Sequence, residues 1–136
     1  MTATVTLIDE VDAGLDETVL KEAAGRALAG LRLNGEITLT VRLVDEVHIQ
    51  PLNREYLGKD APTDVLSFPV HDFASGKLPD TLPQGPILLG EVVVNLDQAK
   101  KQAASSGQGS SREVQSLIEH GVRHLIGYHH QDSKHG

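Results

Sequence analysis

"EITLTVRLV", residues 36–44, is the stretch on which the fold turns. Ile37, Leu39, Val41 and Leu43 alternate with Glu36, Thr38, Thr40 and Arg42. A period of two places the apolar set on one face of a β-strand and the polar set on the other. Upstream, "TVTLID" (4–9) alternates well enough for a first strand. Between the two, Leu20, Ala23, Ala24, Ala27, Leu28 and Leu31 recur at helical spacing behind Asp16, a helix-capping residue type. Asn34-Gly35 is read as the stop of that helix, feeding the strand.

The same alternation of element types continues downstream. Asp45 caps a second helix over about 46–57, with Pro51 set awkwardly inside it and Gly58 at its end. "DVLSFPV" (64–70) reads as a short strand whose Pro69 marks an edge or an end. Residues 71–85 carry Gly76, Pro79, Pro83 and Gly85 and are expected to form a loop. "PILLGEVVVN" (86–95) is a mostly apolar strand, and Asn95 caps a helix through about Ala104. "SSGQGSS" (105–111) is a flexible connection in which Ser110 and Glu113 have capping-box spacing. A last helix runs to about Ile126. The order β-α-β-α-β-loop-β-α-α predicts a single α+β domain over residues 1–136, with about four strands in a mixed sheet and helices packed on it.

The chain has 136 residues, enough for one substantial core, and a formal net charge of −7. A nonspecific duplex-DNA binder is normally basic, so DNA is not an expected partner. Only four aromatic residues are present, Tyr56, Phe68, Phe73 and Tyr128, which argues against a broad base-stacking platform. There is no cysteine, so a metal must rely on His, Asp or Glu. "MTATVTLIDE" has no basic region followed by an apolar stretch, and no run approaches a membrane span. The expectation is a soluble cytoplasmic protein with no membrane partner.

"IEHGVRHLIGYHH" (118–130) carries the chemistry. Residues four apart on a helix differ by about 40° and about 6 Å, so His120 and His124 project side by side. Both fall off the centre of the apolar stripe formed by Val114, Leu117, Ile118, Gly121, Val122 and Leu125. His130 would lie about 15 Å from His120 on a continuous helix. The chain must therefore stop and fold back, and Gly127 stands where glycine allows that reversal. Three imidazoles then hold one metal and leave a fourth position for water, as in a catalytic zinc site. The bland alternative is a histidine-rich tail, with His129, His130 and His135 solvated. The spacing is that of the metzincin proteases, but Gly121 stands where their general-base glutamate belongs. Glu119 points elsewhere on the helix. Peptide hydrolysis loses its base, whereas phosphodiester hydrolysis can use a metal that polarises a phosphoryl oxygen and activates water.

These residues resemble the YbeY family, bacterial ribosomal-RNA maturation factors described as metal-dependent endoribonucleases. "HGVRHLIGYHH" (120–130) matches H-G-x-x-H-L-x-G-Y-D-H, and "PTDVLSFP" (62–69) matches P-T-[DN]-V-L-S-F-P. "LN" (52–53), "GKD" (58–60) and "LLGEVVVN" (88–95) also fit. The likeness runs from about Ile37 to His130. It implies one zinc ion per chain on His120, His124 and His130, and cleavage of single-stranded RNA. It further implies a role in small-subunit ribosomal RNA maturation and ribosome quality control, with the ribosomal small subunit or its proteins as partners. Three departures stand out. Leu57 occupies a place where the family usually has arginine, and leucine carries no charge or side-chain donor. His129 replaces the usual Asp, so a carboxylate that would orient a ligand is missing, and His129 becomes an alternative ligand. The chain also ends six residues after His130, so a C-terminal extension is expected to be absent or reduced.

The remaining candidates are weaker. Ser67, Lys59 and Arg54 are candidate substrate or catalytic contacts beside the metal-bound water; Ser67 is equally a polar strand residue. A Ser-His-Asp triad lacks its G-x-S-x-G elbow. Thr63 and Asp64 are read as strand initiators, and His48 and His71 as surface residues. Arg112, Arg123, Lys100 and Lys101 form either a basic edge near the site or a solvated helix face. A non-catalytic, metal-stabilised ribosome-assembly factor is the competing function, and a zinc protease is less favoured.

Overall fold

The computed structural model describes residues 2–31, 33, 35–70 and 87–125. Their elements are β1 (Thr2–Asp9), α1 (Glu17–Gly30), β2 (Glu36–Val44), α2 (Glu46–Leu57), β3 (Val65–Pro69), β4 (Ile87–Asn95), α3 (Leu96–Ser106) and α4 (Ser110–Leu125). The four strands form one mixed sheet in the order β1-β2-β4-β3, which bears out the α+β expectation. β1 runs parallel to β2 and β2 parallel to β4, while β3 is antiparallel to β4. Parallel neighbours need a crossover, and α1 supplies the one between β1 and β2.

β2 behaves as its alternation predicts: Ile37, Leu39, Val41 and Leu43 are buried in the main core with α1 and α4. The opposite face of β2 carries Thr38, Thr40 and Arg42, and Arg42 pairs with Glu91 at 2.6 Å and Glu10 at 3.4 Å. β4 lies between β2 and β3, and both of its faces are covered. Val92 and Val94 join the main core, while Val93 joins a second cluster with Val44, Ile49 and Leu66. The β4 register against β2 jumps from Leu88 to Gly90, leaving Leu89 as a bulge. Gly90 has φ +152°, and a Cβ there would strike the Phe68 carbonyl oxygen and Pro69 Cα. No other residue type fits this crossing of β4 past β3.

Helix ends follow local chemistry, with three refinements. α1 stops at Gly30, and the Leu31 amide donates back to Leu28 at 3.0 Å; Gly35 instead takes a left-handed φ of 82° just before β2. Pro51 lies inside α2, where the carbonyl it cannot serve belongs to Val47, itself an exposed residue. At α4 the Glu113 amide donates to the Gly109 carbonyl at 3.2 Å, so the first turn closes on Gly109 rather than on a Ser110 capping box. The α3–α4 link shortens to Gly107–Gly109. Asn95 caps α3 as expected, accepting from the Gln98 amide at 3.2 Å. The loop over 71–85, His71, the chain reversal at Gly127 and His130 lie outside the described residues. No described helix is long and apolar enough to cross a membrane.

Asp45 caps α2 by accepting from the His48 amide at 2.9 Å, and its carboxylate also meets His48 Nδ1 at 2.6 Å. That side-chain bond lowers the Asp45 pKa below 3.8 and raises the His48 pKa above 6.5. Asp45 stabilises the fold above its ordinary value and loses that contribution as pH falls through its lowered one. His48 contributes below its ordinary value and stops as pH rises through its raised one. The pair is therefore complete between 3.8 and 6.5. The thermal destabilisation caused by Asp45→Asn is expected to be larger at pH 5 than at pH 9, and the His48 pKa read by NMR should fall back toward 6.5 in that variant.

Candidate metal centre

α4 is the most strongly amphipathic helix, and its buried residues are Val114, Leu117, Ile118, Gly121, Val122 and Leu125, the stripe read from the sequence. His120 is exposed and His124 half-buried, both off that stripe. Their ring centroids lie 4.0 Å apart with the planes inclined by 55°. Two nitrogens bound to one tetrahedral zinc are about 3.3 Å apart for bonds of about 2.05 Å. With the ring centroids 4.0 Å apart, a small opening of the two rings is needed to set their nitrogens on one ion; what fits a metal is the donor set, two imidazoles on adjacent turns of one helix. No group of three potential ligands assembles among the described residues, and the third expected ligand, His130, lies outside them.

Gly121 explains the missing glutamate physically. A Cβ at Gly121 would lie 2.5 Å from Val92 Cγ1, 3.2 Å from Val65 Cγ2 and 3.3 Å from Ser67 Oγ. The position after His120 faces the sheet, where α4 presses on β3 and β4. A general-base carboxylate has no room there. Glu119 is no substitute: it turns toward α1, where it meets Arg26 at 3.4 Å.

Ser67 sits on β3 opposite this contact. Its hydroxyl donates to the Gly121 carbonyl at 2.7 Å, joining β3 to α4 between the two histidines. The lead-in to β3 is fixed by the two buried polar residues of the protein's described part, Asn53 and Asn95, which sequence reasoning gave only as part of a motif and as a helix cap. Asn53 donates to the Ala61 carbonyl at 2.8 Å and Asn95 to the Thr63 carbonyl at 3.0 Å. The Asn95 amide also donates to the Asp64 carbonyl at 2.8 Å. Thr63 and Asp64 thus start the strand through their backbone carbonyls, and the Asp64 side chain accepts from Gln102 at 3.3 Å.

A cleft of about 290 Å³ opens between the end of α2, the outer side of β3 and the end of α4. Ser67 and His124 line it, and so does Leu57. Tyr56 and Phe68 also face it, their ring centroids 4.2 Å apart. Arg54 and Lys59 are not on its wall: Arg54 pairs with Asp60 at 3.6 Å, and Asp60 also accepts from Gln50. Of the basic residues, Arg123 adjoins His124 in the last turn of α4 and is exposed. Arg112 is about 18 Å along α4 from His124, and Lys101 pairs with Glu46 at 3.8 Å. His48 is exposed, as expected.

The family model described as Endoribonuclease YbeY matches residues 8–136. A Halalkalibacterium halodurans protein named Endoribonuclease YbeY is 37% identical over 96% of this chain and 84% of its own length. Proteins of the same name from Geobacillus thermodenitrificans and Bacillus cereus are 35% and 33% identical, each over 96% of this chain and 85% of their own. Among solved structures, the solution structure of TM1509 from Thermotoga maritima is similar with a TM-score of 0.55 and 25% identity, covering 92% of this chain and 73% of that one. With a family model spanning nearly the whole sequence and relatives above 30% identity over most of their own length, the chain belongs to the Endoribonuclease YbeY family.

Proposed function

We propose that this protein is a zinc-dependent endoribonuclease that cuts single-stranded RNA, in the cytoplasm, during maturation and quality control of the ribosomal small subunit. The family carries the endoribonuclease activity, a hydrolysis of phosphodiester bonds. The observation that supports its location is the His120–His124 pair at the end of α4, beside the cleft that His124 helps to line. His120 and His124, with His130, are the residues that would hold the metal. A zinc ion in such a site lowers the pKa of bound water toward about 7 and polarises a phosphoryl oxygen. The chain's own part is to hold the imidazoles in place. The α4–β3 contact does this through the Ser67 hydroxyl and the bare Gly121 backbone. The same contact leaves no carboxylate after His120, which opposes a protease reading.

One observation favours the competing reading of a non-catalytic assembly factor: Leu57 puts an apolar side chain on the wall of the cleft that His124 also lines. A direct comparison separates the two. Metal-stripped protein is expected to leave both single-stranded RNA and an unstructured peptide intact, and one equivalent of zinc is expected to restore cutting of the RNA only. Ribosome association without RNA cleavage at any zinc level would establish the assembly factor instead. Cleavage of the peptide would sink both.

A further inference from the structure

The cleft beside His124 extends away from the histidines along the outer edge of β3, and that extension is not used by the metal. The β3–β4 pairing determines which main-chain groups face it. Asp64 accepts from the Asn95 amide and the Val70 amide donates to the Leu89 carbonyl. In an antiparallel ladder, alternate residues bond across, so Leu66 and Phe68 also turn their main chain toward β4. Val65, Ser67 and Pro69 turn theirs outward, and Pro69, which has no N–H, sits where none is needed. Among the described residues, nothing pairs with the outward groups of Val65 and Ser67.

Over this edge stand the Tyr56 and Phe68 rings. Phe68 packs on the second core cluster and is half-buried, whereas Tyr56 is 64% exposed. Tyr56 is thus backed by Phe68 while much of its own surface stays open. Leu57 and Pro69 complete an apolar rim. About 290 Å³ lies just below the range of about 300–1,000 Å³ for drug-sized ligands. It suits one planar ring system rather than several nucleotides. A strand edge with two outward N–H groups is too short to add a peptide strand securely, but it offers adjacent donors and acceptors of the kind a base edge needs.

We propose that this part of the cleft is a nucleobase subsite. One base of the single-stranded RNA stacks on Tyr56, and its polar edge meets the outward main-chain groups of Val65 and Ser67. Because His124 lines the same cleft, the base held here belongs to a nucleotide adjoining the phosphate presented to the metal pair. The subsite rests on the endoribonuclease reading of this cleft. It requires no broad aromatic platform, since a single backed ring suffices. Stacking on one aromatic ring is sequence-tolerant, and its loss weakens binding by about 5- to 150-fold per base.

The test uses the zinc-loaded full chain and a fluorescein-labelled single-stranded oligoribonucleotide, read by anisotropy, with the same oligonucleotide made abasic at one position at a time. Tyr56→Ala should weaken binding by about 5- to 150-fold while Tyr56→Phe keeps it. One abasic position should weaken wild type by a similar factor and have little further effect on Tyr56→Ala, because both changes remove the same contact. Unchanged affinity in Tyr56→Ala, or an equal abasic penalty in both proteins, would overturn the subsite while leaving the endoribonuclease standing. An unstructured peptide that binds wild type more tightly than the RNA does would overturn it in favour of strand addition at β3. Wild-type protein that neither binds nor cuts the RNA would overturn the endoribonuclease reading, and the subsite with it.

Discussion

His124→Ala is expected to lower zinc-dependent RNA cleavage by more than about 100-fold while the metal-free protein keeps its helical circular dichroism. Disturbing only a partner that orients a metal ligand typically costs about 10- to 100-fold in affinity or activity. Removing one of three ligands should exceed that. His124 lies in the last turn of α4, off the buried stripe, so the core formed by Val114, Ile118 and Val122 does not depend on it. Loss of activity together with retained fold is the signature of a ligand. Undiminished cleavage by the variant would point to a contaminating nuclease. Loss of helical structure in the metal-free variant would point to a packing role instead.

The second large effect is on stability. Gly121→Glu, which restores the protease-like residue after the first histidine, is expected to cost at least about 4 kcal/mol and to leave little folded protein. Its Cβ would press on Val92 Cγ1 at 2.5 Å, and Val92 is fully buried on the central strand β4. A carboxylate beyond that Cβ would be buried without a partner. Gly121→Ala is the graded control. Overpacking costs about 1–3 kcal/mol, offset by about 1 kcal/mol of helix propensity gained on replacing glycine. The alanine variant should therefore fall between wild type and the glutamate variant in urea denaturation. A glutamate variant as stable as wild type would show that α4 does not sit this closely on the sheet.

Gly121 also shows what a linear reading can and cannot supply. The α4 stripe was legible because a helix repeats its buried face every 3.6 residues, and six residues follow that period. The same period placed His120 and His124 side by side and turned Glu119 away. β2 was legible because only one of its faces is buried. What escaped was non-local. The contact of Gly121 with Val65, Ser67 and Val92 joins residues far apart in the chain, so the sequence showed the glycine as a motif residue and a departure from the protease pattern but not the packing that requires it. Asn53 and Asn95 latch the lead-in to β3 through carbonyls whose positions no periodicity reveals. Counting aromatics argued against a broad base-stacking platform but said nothing of where the four lie; folding brings Tyr56 of α2 against Phe68 of β3 in one cleft. Arg54 and Lys59 were candidates as the cations nearest Leu57 in the sequence. A cation can face any direction from a helix end, and Asp60 draws Arg54 aside.

Leu57, one of the departures read from the sequence, lies on the cleft wall with His124. His129 and His130 lie beyond the described residues, so the ligand count must come from the metal itself. X-ray absorption at the zinc edge of the zinc-loaded protein measures it directly. Three imidazole nitrogens at about 2.0–2.1 Å with one oxygen are predicted for wild type, falling to two imidazoles in His130→Ala. Two or fewer imidazoles in wild type, or an unchanged count in His130→Ala, would contradict the three-histidine centre on which the proposed chemistry stands.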